Sequence, residues 1–178
     1  TIQEGDVFSR EVPGIVDFAA SPDGRFLYGV HRKPFNSSPI ASDILVVYDR
    51  QTGETSGVIN GVSPLKLSDP DAIAASPVAP FVVVQSGNEL VIFEQVGVEL
   101  QLRQRFRSAE TANLQDITFG PNGDLYILSS NGSPSTVSRL TLDGNGLPTV
   151  VQSRDFTFTS DLSRDSSSIF ADGESVIA

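Results

Sequence analysis

The chain has 178 residues, 39% of them hydrophobic, and its 12 Lys and Arg against 22 Asp and Glu leave a net charge of −10. That charge repels nucleic acid and anionic membrane surfaces, so neither is expected as a partner. The absence of cysteine excludes disulfides, thiolate catalysis and cysteine metal sites, and no run of about 18 apolar residues offers a membrane span. A chain that starts at Thr1 and holds no Met reads as a processed or trimmed product.

Taken in chain order, the predicted elements are all strands, and they come in sets of four. Asp6–Arg10 opens the chain as an outer strand within residues 1–13. Residues 14–61 then hold the strand Ile15–Ala20, a Ser21-Pro22-Asp23-Gly24 turn, the strand Phe26–Val30 and a long polar loop over Lys33–Ser42. Asp43–Asp49, a Gln51-Thr52-Gly53-Glu54 turn and Thr55–Asn60 complete the set. Aromatic and β-branched residues favour the strands, and Asp-Gly supplies the positive φ that a tight hairpin needs. Residues 62–111 repeat the plan with Asp71–Ala75, Phe81–Gln85, Glu89–Glu94 and Glu99–Arg107. Residues 112–158 repeat it with Leu114–Phe119, Leu125–Ser129, Thr136–Leu142 and Thr149–Arg154. Residues 159–178 begin a fourth copy and stop after two strands.

Pro22, Pro77 and Pro121 occupy equivalent places, so the units are 55 and 44 residues long. Propeller blades repeat at roughly 40 to 50 residues. The expected fold is all-β: about three and a half β-propeller blades, each a four-stranded antiparallel sheet, making a partial or half propeller. Its end blades would leave Ile15, Phe18, Ile169 and Phe170 uncovered. Association is therefore expected, as a homo-oligomer or with the remainder of a parent chain.

Few residues suggest chemistry. Asp17 and Asp116 hold the same place in their repeats, Asp71 is one position away, and all three fall on innermost strands. Such a ring of carboxylates suits a hard cation such as Ca²⁺, which wants several converging oxygens. The competing reading is that each Asp accepts hydrogen bonds from backbone N–H groups at its strand entry. Asp143-Gly144-Asn145-Gly146 starts like a calcium loop, but Leu147 stands where a ligand is needed, so a hairpin turn is expected. His31, the sole histidine, could serve as a general base, yet it sits beside Arg32 and Lys33 before the long loop and reads as a solvated loop residue. Arg103, Arg105 and Arg107 alternate with Leu102, Gln104 and Phe106. Period-two spacing would put the arginines on one face, where they keep an outer strand soluble and block edge pairing. Asn36-Ser37-Ser38 and Asn131-Gly132-Ser133 match glycosylation sequons and read as ordinary loop residues.

The phrase Ala20-Ser21-Pro22-Asp23-Gly24-Arg25-Phe26-Leu27-Tyr28, followed by Ile44–Asp49 and Thr52-Gly53, resembles the YVTN and lactonase-like family of bacterial β-propellers. Gly120-Pro121-Asn122-Gly123-Asp124-Leu125-Tyr126 is similar, whereas the second copy replaces the turn with Val78-Ala79-Pro80. The resemblance implies a ring of about seven blades in a complete member. It also implies, for some relatives, hydrolysis of sugar lactones with a metal held by channel carboxylates and an asparagine.

Two functions follow. The first is a non-enzymatic interaction module, extracellular or periplasmic, needing no cofactor and meeting a protein or glycan through loops 33–42 and 159–168. The alternative is a metal-dependent lactone or ester hydrolase built on Asp17, Asp71 and Asp116, with Ca²⁺ as the metal.

Overall fold

The computed structural model describes residues 15–31, 44–59, 67–130, 135–156, 170–171 and 176–177. Three four-stranded antiparallel sheets follow one another along the chain, each a simple meander. The first contains β1 (Ile15–Ala20), β2 (Phe26–His31), β3 (Ile44–Asp49) and β4 (Glu54–Ile59). The second contains β5 (Pro70–Ala75), β6 (Phe81–Ser86), β7 (Glu89–Val96) and β8 (Glu99–Phe106). The third contains β9 (Leu114–Phe119), β10 (Leu125–Ser130), β11 (Ser135–Leu142) and β12 (Pro148–Phe156). A hairpin of β13 (Phe170–Ala171) and β14 (Val176–Ile177) begins a fourth. The first strand of each sheet packs beside the first strand of the next, so β1, β5, β9 and β13 form the inner row of a propeller. The expected outer strand at Asp6–Arg10 lies outside the described residues.

The glycines that end the paired prolyl turns enforce this meander. Gly24 and Gly123 take φ of 69° and 84°, the left-handed region that a Cβ disfavours. Each donates its N–H back across the turn, Gly24 to Ser21 O at 2.8 Å and Gly123 to Gly120 O at 2.9 Å. In the first turn Asp23 also accepts from the Ser21 hydroxyl and from Arg25 N–H, and Ser21 Oγ accepts from Phe26 N–H. These bonds close the β1–β2 hairpin with partners that all lie within residues 21–26.

Two apolar layers hold the blades together, and strand alternation decides which residue enters which layer. From the first blade, Phe26, Tyr28, Val30, Leu45 and Val47 face the second. They meet Ile73, Val82, Val84, Val91 and Phe93 of that blade. The alternate residues of the second blade, among them Ala74, Phe81, Val83, Leu90 and Ile92, face the third, where Ile117, Leu125, Ile127 and Leu140 receive them. The middle blade is thus covered on both sides, and every residue of β6 is buried. That is why Phe81-Val82-Val83-Val84 is a continuous apolar run instead of an alternating one. Burying one such side chain contributes about 1.5–3 kcal/mol. A third, smaller layer of Leu128, Val137 and Tyr126 lies on the far face of the third blade.

Two sequence expectations change here. The three arginines of the outer strand do not share a face, because β8 carries a bulge opposite Ile92 and Phe93. The extra residue reverses the alternation, so Leu100 and Leu102 pack toward the first blade while Phe106 packs toward the third. Each arginine is paired within the blade, Arg103 with Glu94 and both Arg105 and Arg107 with Glu89. His31 is not a loop residue. It is the last residue of β2, half-buried, and pairs with Ile15 on one side and Ile44 on the other.

Candidate functional site

The inner strands β1, β5 and β9 each carry a register shift near their entry, and the carboxylates sit at or beside that irregularity. In β1 the shift falls between Ile15 and Asp17, in β5 between Pro70 and Ile73, and in the β9 pairing between Leu128 and Ser129. Asp17 and Asp116 are the first residues back in register, opposite Val30 and Leu128. The corresponding place in β5 belongs to Ala72, which is buried, and Asp71 falls in the irregular stretch itself. Among the described residues, no group of three or more His, Asp or Glu side chains is placed to hold a metal ion.

What Asp17 does is visible in its contacts. Its Oδ1 accepts from the Phe18 N–H at 2.8 Å, and its Oδ2 accepts from the Ile73 N–H at 2.9 Å. The second bond crosses from the first blade to the second, so the carboxylate ties two inner strands that do not otherwise form a ladder. Burial pushes its pKa up, and the two backbone amides act against that shift. Asp116 makes the same local bond, accepting from Ile117 N–H at 2.8 Å.

Two further ties between blades were not legible in the sequence. Gln85, buried in β6, donates its Nε2–H to Leu114 O at 3.0 Å and so joins the second blade to the third. The Tyr28 hydroxyl meets Gln95 Oε1 across the first interface. Burial first, and the Asp23 charge second, raise the Tyr28 pKa, so the phenol stays neutral. Nothing marks Gln85 beforehand, since a glutamine ending an apolar strand looks like a solvated residue.

The outer turns use their carboxylates structurally. Asp49, buried at the end of β3, receives Arg25 through Nη2 at 2.8 Å and Nε at 3.2 Å, and its other oxygen accepts from Gln51 N–H at 2.8 Å. The Arg25 guanidinium holds the Asp49 pKa below the ordinary carboxylate value. In the Asp143–Leu147 turn, Asp143 Oδ1 accepts from both Asn145 and Leu147 N–H at 2.8 Å, which lowers its pKa. That carboxylate organises a hairpin turn of the kind expected there. A shallow groove of about 430 Å³ runs between the β1–β2 and β5–β6 turns, lined by Ser21, Pro22, Asp23, Pro77, Val78 and Gln95. The loops 33–42 and 159–168 and both sequon asparagines, Asn36 and Asn131, lie outside the described residues.

The arrangement is that of a β-propeller, and solved structures share it. A Bacteroides uniformis protein provisionally described as a 6-phosphogluconolactonase matches at 16% identity with a TM-score of 0.58, over 88% of this chain and 45% of that one. The WD40 domain of SCAP from fission yeast matches at 19% identity with a TM-score of 0.53, over 83% and 32%. The Cps50 (Swd1) β-propeller domain from Myceliophteria thermophila matches at 10% identity with a TM-score of 0.53, over 85% and 40%. At these identities the likeness shows the fold alone. The chain spans 40–53% of the length of three such structures. No family model and no curated protein matches it.

Proposed function

We propose that the chain is a non-enzymatic β-propeller interaction module of the YVTN and lactonase-like kind, extracellular or periplasmic, working with further propeller blades. The observation that carries this reading is the use of Asp17. The inner-strand carboxylate whose contacts are clearest bonds two backbone amides and joins two blades, which is an architectural role. Loops 33–42 and 159–168 would meet a protein or glycan partner, as polar loops on a rigid scaffold do.

The alternative is a Ca²⁺-dependent hydrolase of lactones using Asp17, Asp71 and Asp116, and the fold shared with the Bacteroides uniformis protein is what favours it. Calorimetry with millimolar Ca²⁺, together with pH-stat hydrolysis of a sugar lactone, separates the two. A ligand bound only by the folded state raises the melting temperature. The expected result is no calcium-dependent shift and no hydrolysis. A shift that Asp116→Asn abolishes, accompanied by calcium-dependent turnover, would overturn the module reading.

A further inference from the structure

The innermost strands β1, β5 and β9 each sit at the end of their sheet, so each has a ladder on one side only. Alternate N–H groups of such a strand face away from the ladder and need another acceptor. Cross-strand register identifies one of these groups in every blade. Phe18 pairs with Gly29, Ile73 with Val84 and Ile117 with Ile127, so Phe18, Ile73 and Ile117 hold one position. The residue immediately before that position is Asp17 in the first blade, Ala72 in the second and Asp116 in the third.

The N–H at this position is satisfied in two different ways. Phe18 N–H and Ile117 N–H each donate to the carboxylate just before them, both at 2.8 Å. The side chain of Ala72 has no acceptor to offer Ile73. The Ile73 N–H instead donates to Asp17 Oδ2 at 2.9 Å, while Asp17 Oδ1 serves the carboxylate's own strand. At the next seam Ile117 N–H is already held by Asp116, and the tie between blades takes another form. There Gln85, next to Val84 as Val30 is to Gly29 and Leu128 to Ile127, is buried and donates its Nε2–H to Leu114 O at 3.0 Å.

We propose that Asp17, Ala72 and Gln85 form a stacking key that determines which blade follows which. Asp17 caps its own strand with one oxygen and turns the other to its neighbour. That second oxygen fits a following blade with alanine before the shared position, because such a blade cannot cap its own N–H. A following blade with its own aspartate there would bring a second carboxylate to the same N–H, and two like charges at one donor repel. Gln85 suits the opposite case, since its amide N–H needs a carbonyl and leaves the capped Ile117 N–H alone. The apolar layers at both seams are built from the same residue types, so they discriminate weakly between blades. Polar groups with one matching partner supply the discrimination, as they do for register in coiled coils. The key goes beyond the interaction-module reading and does not depend on it.

Amide hydrogen exchange at Ile73, followed by NMR in the 178-residue chain, tests the key. Exchange at Val83, in the fully buried strand β6, measures global opening and serves as the reference. Asp17→Ala should speed Ile73 relative to Val83 about tenfold, and Asp17→Asn, which keeps one acceptor oxygen, by less. Adding Ala72→Asp to Asp17→Ala should slow Ile73 again, because the new carboxylate caps the N–H from its own strand. Ala72→Asn supplies the same acceptor without a charge and serves where the buried carboxylate prevents folding. Gln85→Leu, at the other seam, should leave the Ile73 to Val83 ratio unchanged. An Ile73 ratio indifferent to Asp17→Ala would overturn the proposal. So would a ratio that neither Ala72→Asp nor Ala72→Asn restores, or one that Gln85→Leu moves as far as Asp17→Ala does. None of these results would touch the module reading, which fails only on calcium-dependent hydrolysis.

Discussion

Replacing Gly24 and Gly123 by alanine separates backbone strain from side-chain crowding, because the two turns differ in one respect. Both glycines have left-handed φ and both donate to the first residue of a four-residue turn. A Cβ in that region costs about 1–2 kcal/mol, and alanine's narrower unfolded ensemble offsets about 0.4–1 kcal/mol equally at both sites. At Gly24 the new Cβ would lie 3.7 Å from Arg50 Nη1, an ordinary contact. At Gly123 it would lie 2.3 Å from Val78 Cγ2 of the neighbouring blade, so something must shift. Overpacking costs about 1–3 kcal/mol, and Val78 is 62% exposed, so its movement keeps the penalty near the lower end. Gly24→Ala should therefore lose about 1 kcal/mol and Gly123→Ala about 2 kcal/mol. Urea unfolding followed by circular dichroism suits the measurement, because the chain has no tryptophan. In the double variant Gly123→Ala/Val78→Ala, about 1 kcal/mol should return, a coupling that two contacting residues show. Equal losses at the two glycines, or no recovery in the double variant, would refute the argument.

Two other predictions follow from the carboxylates. Asp17→Ala leaves the buried Ile73 N–H without its acceptor and should cost about 1–3 kcal/mol in the same urea assay, whereas Asp17→Asn keeps one acceptor oxygen and should cost less. A melting-temperature profile from pH 2 to 7 should separate Asp49 from Asp17 by sign. Asp49 has a folded pKa held down by Arg25, so its contribution is present above the unfolded value and is lost as pH falls through the folded one; Asp49→Asn should flatten that acid limb. Asp17 has a folded pKa raised by burial, so its contribution runs the other way and weakens as pH rises through the folded value.

Local chemistry made most of the fold legible. Prolyl turns ending in glycine, β-branched runs of about six residues and a recurring spacing specify antiparallel hairpins, and those depend only on neighbours along the chain. The strand ranges accordingly differ from the sequence reading by only one or two residues, as where β7 continues to Val96 before the positive-φ Gly97. Three things were decided only by tertiary structure. The bulge in β8 sent Leu102 and Phe106 to opposite blades, because an inserted residue reverses a period of two without altering the composition of the strand. The equivalence of Asp17 and Asp116 was readable, but their partners were not. The Ile73 N–H that Asp17 binds is 56 residues away and becomes a neighbour only when two blades stack. Gln85 likewise becomes a tie only because the third blade brings Leu114 O to it. A sequence lists which groups can bond, and stacking the blades determines which of them meet.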